Sequence, residues 1–163
     1  SMSWSRRGVL LGGTLALAAC GFSPVYAPGG AGSKLFGQIR AADPKTPDEF
    51  TFAGRIAERL GPDRDARFAL AYKLRVAVVA QAITKDEVTT RYSLNGTANF
   101  VLTDSASGAE VTRGQVSTFT SYSTTGTTIA TMAAEQDAHD RLARMLADQV
   151  VTRLLAVDPA SLQ

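Results

Sequence analysis

Few side chains in these 163 residues can do covalent or metal chemistry. There is one cysteine, Cys20, and one histidine, His139. A single cysteine forms neither an internal disulfide nor a multi-cysteine metal site, and one histidine leaves zinc and Cys/His catalytic sets without their parts. His139 has Asp137 and Asp140 nearby in sequence, but neither stands at the i+3 or i+4 spacing that shares a helix face, so a solvated histidine is expected. No Gly-x-Ser-x-Gly elbow, Walker loop or paired-carboxylate pattern occurs. The glycine-rich "GGAGS" at 29–33 lacks the strand and helix that a phosphate cradle needs. The pattern points away from an enzyme, with no cofactor and no metal expected. What remains are cations: Lys73 and Arg75 on one candidate strand, and Lys85 and Arg91 at the ends of "TKDEVTTR". A single solvated cation is unremarkable, but grouped cations suit phosphate or carboxylate, for which arginine is well shaped.

Cys20 belongs to a different chemistry. Ser1 precedes Met2 and reads as a tag scar. Arg6-Arg7 leads an 11-residue apolar run, "VLLGGTLALAA" (9–19), that closes on the cysteine. The run is too short to span a bilayer but fits the apolar region of a secretory signal. "SRRGVLL" has a faint twin-arginine character, so the export route stays open between the two pathways. "Leu17-Ala18-Ala19-Cys20" resembles the bacterial lipobox, in which a thiol takes a diacylglyceryl group and becomes residue one after cleavage. Several acyl chains then make a stable anchor. Gly21, in place of the aspartate that retains lipoproteins in the inner membrane, implies the outer membrane, periplasmic side. Residues 1–19 are thus expected to be removed. Of the 17 Lys and Arg, Arg6 and Arg7 go with them, and the remaining 15 balance 15 Asp and Glu. A neutral body argues against nucleic acid as partner.

The elements that must carry the cations read clearly. Residues 20–33, rich in Gly and Pro, are expected to be a flexible tether, and "SKLFGQIRA" (33–41) a short strand. Thr46-Pro47-Asp48-Glu49 is a capping box, Phe52, Ile56 and Leu60 give one apolar face, and Gly61-Pro62 stops a helix over 47–60. "RFALAYKLRVAVV" (67–79) alternates, with Phe68, Leu70, Tyr72, Leu74, Val76 and Val78 inward. So does 91–102, with Arg91, Ser93, Asn95, Thr97 and Asn99 outward. "TDSASG" (103–108) is a hairpin loop. The strand over 109–122 slips phase near Gly114, which predicts a bulge. A helix over 129–156 buries Ala138, Leu142, Met145, Leu146, Val150 and Leu154. The order β-α-β-β-β-α gives an α+β, two-layer α/β sandwich: a mixed sheet of about four strands, two helices on one face, and a polar opposite face. One globular domain covers 34–157, with a tail at 158–163.

The chain resembles the LptE family of lipopolysaccharide-assembly lipoproteins, in a form like that of alphaproteobacteria. "AACGFSPVY", "RIAERLG", "YKLRVAVVAQAITKDEVTTRYSLNGTANFVLTDSASG" and "AEQDAHDRLARMLADQVVTRL" carry the resemblance over most of 20–156. It implies a non-enzymatic outer-membrane lipoprotein that plugs the β-barrel LptD and assists lipopolysaccharide transport to the outer leaflet. It also implies lipopolysaccharide binding by cations near the hairpin, where Lys85 and Arg91 fit, with Lys73 and Arg75 on the neighbouring strand. The hairpin here lacks the glycine-containing turn of some members. A rival expectation is a lipid-anchored periplasmic module for another envelope ligand, which needs a concave apolar pocket. A surface-anchored hydrolase is a third reading.

Overall fold

A computed structural model describes residues 24–63, 65–83, 89–124 and 126–162. Cys20, the leader and Lys85 lie outside the described residues. The elements are α1 (Ala31–Leu35), β1 (Ile39–Ala41), α2 (Pro47–Leu60), β2 (Phe68–Ile83), β3 (Thr89–Asp104), β4 (Glu110–Ser123) and α3 (Thr128–Leu155), followed by a 3-10 turn over Pro159–Leu162. The sheet runs β1-β2-β3-β4 in order; β1 is parallel to β2 and the other pairs are antiparallel. Both long helices cover one face, as the amphipathic pattern requires.

Local signals behave as expected at α2. The Thr46 hydroxyl accepts from the Glu49 N–H, while the Glu49 carboxylate reaches back to the Lys45 N–H at 2.7 Å. Phe52, Ile56 and Leu60 are buried, and Gly61 ends the helix with φ of 78°. The first segment departs from expectation. Over 33–41 only Ile39–Ala41 is strand; Ala31–Leu35 is helical and is stopped by Gly37, at φ of 71°. Leu35 and Ile39, both buried, are four apart, a spacing that suits a helical face and an alternating strand equally. The expected tether also differs. Ala31 is buried in the core and residues 24–31 line a cleft against Leu155–Pro159, so the chain is already docked on the body before residue 33, and the Lys34 ammonium then donates to Pro159 O.

The close fit of helix on sheet comes from small residues. A Cβ on Gly96 of β3 would lie 2.9 Å from Cγ of Leu142, so glycine lets the α3 leucine sit on the strand. The Thr120 hydroxyl donates to the Ala138 carbonyl at 3.0 Å, pinning α3 to β4 one turn earlier. The buried stripe of α3 includes Ala143, Ala147 and Val151, while Met145, expected inside, is exposed. Alanines let neighbours approach closely, which turns the stripe away from Met145. The phase slip of β4 lies at Val111, between the pairs Leu102–Thr112 and Thr103–Glu110, and not at Gly114. Gly114 pairs regularly with Phe100, and a Cβ there would meet the Phe100 ring at 2.9 Å. It is a packing glycine, not a bulge.

The β3–β4 hairpin is organised by Asp104. Its Oδ1 accepts from the N–H groups of Ala106 and Ser107, and its Oδ2 from Arg67 Nε at 2.8 Å. These bonds, led by Ser107 and then Arg67, hold its carboxyl down at about 2. A depressed folded-state pKa means the stabilisation is complete above the ordinary aspartate range and is lost as pH falls toward 2. Asp104→Asn is therefore expected to lower Tm at neutral pH, with the gap from wild type closing between about pH 4 and 2. A gap independent of pH in thermal melts refutes the carboxylate's role. For the helix–sheet fit, Gly96→Val should cost ~1–3 kcal/mol. The cost should shrink in a Leu142→Ala background, as read from urea midpoints; equal costs in both backgrounds count against the contact.

Candidate functional site

The helix-free face of the sheet is the candidate site, and the pairing register maps it. Lys73 stands opposite Asn99, and Asn99 opposite Gln115. The next rungs are Arg75–Thr97–Ser117, Ala77–Asn95–Phe119 and Val79–Ser93–Ser121. Arg91 follows, opposite Ser123. Lys73 and Arg75 are exposed neighbours, two residues apart on one face. Arg91 shares that face but stands six positions up β3 from the Arg75 rung, roughly 20 Å away. The cations thus form a lower pair and an upper position, not one cluster. No ion pair engages Lys73, Arg75 or Arg91 among the described residues.

Two features of this face escaped the sequence reading. Phe119, 68% exposed, is the large aromatic of the face. Counting back by twos from buried Tyr122 puts residue 119 outside, but the expected slip at Gly114 obscured the parity. Ser93, expected to project into solvent, is buried with its hydroxyl near the Thr120 carbonyl.

The helix side of the same strands fixes the upper half. Tyr92 and Tyr122 face each other across β3 and β4, stacked with centroids 5.4 Å apart. Burial, with Glu135 and Tyr92 next, raises the Tyr122 phenol above its ordinary range, so the Tyr122 ring stays neutral. Val78 of β2 was expected inside but is 50% exposed, because the strands outrun the helices. Ile129 and Met132 at the start of α3 are exposed at this end as well. Alternation shows which way a side chain points, not whether anything covers it.

Helix α2 is clamped to α3 by a polar seam. Asp48 meets His139 Nδ1 at 3.0 Å, Thr51 donates to Asp140, and Arg55 and Arg59 converge on Asp148. His139 is therefore an interhelical partner, not the solvated residue expected; its partner lies 91 residues away. Burial pushes the Asp148 carboxyl up, but Arg55 and Arg59 bring it below its ordinary value. Farther down, burial raises the Tyr72 phenol to about 12, with Glu49 and Asp43 adding to the effect, and its hydroxyl donates to Ala42 O. This keeps β1 against the sheet.

Among the described residues no group of three His, Cys, Asp or Glu is placed to hold a metal, and no helix is long and apolar enough to cross a membrane. A cleft of about 480 Å³ opens at the β4 edge between Arg113, Gln115, Arg153 and Ser161, over Phe100 and Val111. Its rim is polar and charged.

A model of the lipopolysaccharide-assembly family LptE matches residues 38–154, most of the chain and every long element of the fold. This chain belongs to the LptE family. The role of LptE proteins is lipopolysaccharide assembly, and it is not enzymatic. The LptE fold is shared at low identity with solved structures. A candidate lipoprotein from Caulobacter crescentus CB15 is 20% identical with a TM-score of 0.62, covering 77% of this chain and 92% of its own. Rare lipoprotein B from Shewanella oneidensis is 12% identical with a TM-score of 0.55, over 72% and 91% of the two chains. Lipoprotein B from Nitrosomonas europaea is 11% identical with a TM-score of 0.54, over 72% and 80%. No curated protein matches this LptE chain in sequence.

If the open face serves binding and not folding, its exposed groups should be dispensable for stability. Phe119→Ser and the double change Lys73→Glu with Arg75→Glu are each expected to move unfolding free energy by no more than about 0.5 kcal/mol per site. Chemical denaturation measures this, and a larger loss would return these residues to a structural role.

Proposed function

We propose that this LptE protein is an outer-membrane lipoprotein, lipidated at Cys20 and held on the periplasmic side. It plugs and helps assemble a β-barrel translocon of the LptD kind and assists lipopolysaccharide on its way to the outer leaflet. The observation that carries the reading is the open sheet face: polar rungs and, among the described residues, no ion-pair partner for Lys73, Arg75 or Arg91 and no helix over it. The lumen of a large outer-membrane barrel is polar, so a body seated there needs a hydrogen-bonding surface. Lipopolysaccharide is an anionic glycolipid, and guanidinium groups match its phosphates in shape and charge. The lipoprotein names of the structural relatives from Shewanella and Nitrosomonas accord with the anchor read at Cys20.

Within this role Lys85 and Arg91 are the proposed lipopolysaccharide contacts, with Lys73 and Arg75 lower on the same surface. An affinity-tagged protein extracted from outer membranes in mild detergent should bring down a β-barrel protein; recovery of the lipoprotein alone sinks the plug reading. Lys85→Glu with Arg91→Glu should weaken lipopolysaccharide binding about tenfold or more, the worth of one or two charge-assisted hydrogen bonds, with circular dichroism unchanged. Undiminished binding returns both residues to the solvated surface.

A further inference from the structure

The docked N-terminal strap bears on how the body meets the membrane. Only three residues lie between Cys20 and Pro24, where the described chain begins, and the four Cα-to-Cα steps span at most about 14 Å when fully extended. Residues 24–31 fold back on themselves and line a cleft against Leu155–Pro159. The Ala27 N–H donates to Pro24 O, the Gly32 N–H to Val25 O, and Lys34 Nζ to Pro159 O at 2.6 Å. The Gly37 N–H closes onto Leu60 O. The strap lies against Leu155–Pro159, at and just beyond the end of α3, and leads into β1, where Ile39 pairs with Phe68 at the start of β2. This is one end of the molecule. The other end of β2, 16 residues on, is roughly 50 Å away.

The strap also presents apolar side chains to solvent. Val25 is 40%, Tyr26 57% and Phe36 58% exposed. Two of them sit on glycines. A Cβ on Gly32 would lie 2.6 Å from the Tyr26 ring, and one on Gly61 would lie 2.9 Å from the Phe36 ring. The Phe36 N–H bonds to Gly32 O, so the two rings flank one helical turn. Seated in this way, the rings lose little further freedom on meeting a surface. A tyrosine beside apolar groups is suited to the headgroup layer, where the ring is buried and the hydroxyl stays wet.

From this we infer that the strap end, through Val25, Tyr26 and Phe36, is a membrane-contact surface that rests in the headgroup layer of the bilayer holding the Cys20 lipid. The inference rests on the lipidation proposed above. The short leash confines the patch within reach of the bilayer, and the patch supplies the apolar area that gives the contact a preferred orientation. Arg91 is thereby held toward the far end, 13 positions along β3 from Asp104 at the base, roughly 43 Å along the strand.

Tryptophan fluorescence tests it. The chain's one tryptophan, Trp4, lies in the leader, so the mature lipoprotein has no background emission. Tyr26→Trp, Phe36→Trp and, as the far-end control, Val79→Trp are each made in the full-length lipoprotein. They are placed in phosphatidylethanolamine–phosphatidylglycerol vesicles with and without acyl-brominated lipid. Blue-shifted emission quenched by the bromines is expected at positions 26 and 36, with water-like, unquenched emission at 79. A protein that carries palmitate and floats with vesicles, yet shows water-like emission at 26 and 36, overturns the membrane-contact surface and leaves the anchor standing. Absence of palmitate and of flotation overturns the anchor and the inference with it. Emission that shifts only when a barrel protein is added assigns the patch to protein contact and also overturns it.

Discussion

The seating of Leu142 on Gly96 sets the separation between the long helix and the sheet, and the rest of the architecture follows from that separation. With no Cβ on the central strand, α3 lies close enough for the Thr120 hydroxyl to reach the Ala138 carbonyl. The same closeness places the alanines at 138, 143 and 147 in the buried stripe. Helix α2 then has a fixed partner, and the seam from Asp48–His139 to Arg55–Asp148 holds it beside α3. With both helices committed to one side, the apolar residues of three strands are satisfied there. The opposite side has no apolar demand left and remains a polar plane.

That one-sidedness gives the molecule two kinds of polarity. Across the sheet, a helix-covered face opposes a face of Asn, Thr, Ser, Gln and cations, with Phe119 in its midst. Along the strands, a base closed by the N-terminal strap, the Asp104 hairpin and the end of α3 opposes an end where β2 and β3 outrun the helices. Lys73, Arg75 and Arg91, the described cations proposed to meet lipopolysaccharide, lie along the open plane and toward the uncovered end, while the N-terminal strap closes the base. As a member of a non-enzymatic assembly family, the protein offers an open sheet face and, at the β4 edge, a cleft with a polar, charged rim.

Much of this was legible in the sequence, for identifiable reasons. Thr46-Pro47-x-Glu49 and Gly61 bounded α2 because capping is local chemistry. Alternation over 68–78 and 92–102 gave strand faces because the side-chain period of a strand is two. The misreadings have equally local causes. Leu35 and Ile39 fit two periods at once; a proline- and glycine-rich stretch gives no sign that it will dock; Gly114 resembles a bulge glycine until Phe100 is seen against it. His139 was judged by its sequence neighbours, and its partner proved to be Asp48, on another helix.

By itself the sequence determined the α+β class, the order of the long elements and the family resemblance, because capping and periodicity are written in consecutive residues. Only the tertiary structure decided which inward-facing residues are covered, where Arg91 stands relative to Lys73 and Arg75, that α2 and α3 share a polar seam, and that the strap before β1 is docked with Tyr26 and Phe36 outward. Those are distances between residues far apart in the chain. They depend on how closely the layers approach, which is set by the absence of a Cβ at Gly96 and by small residues whose role is invisible until their neighbours are in place.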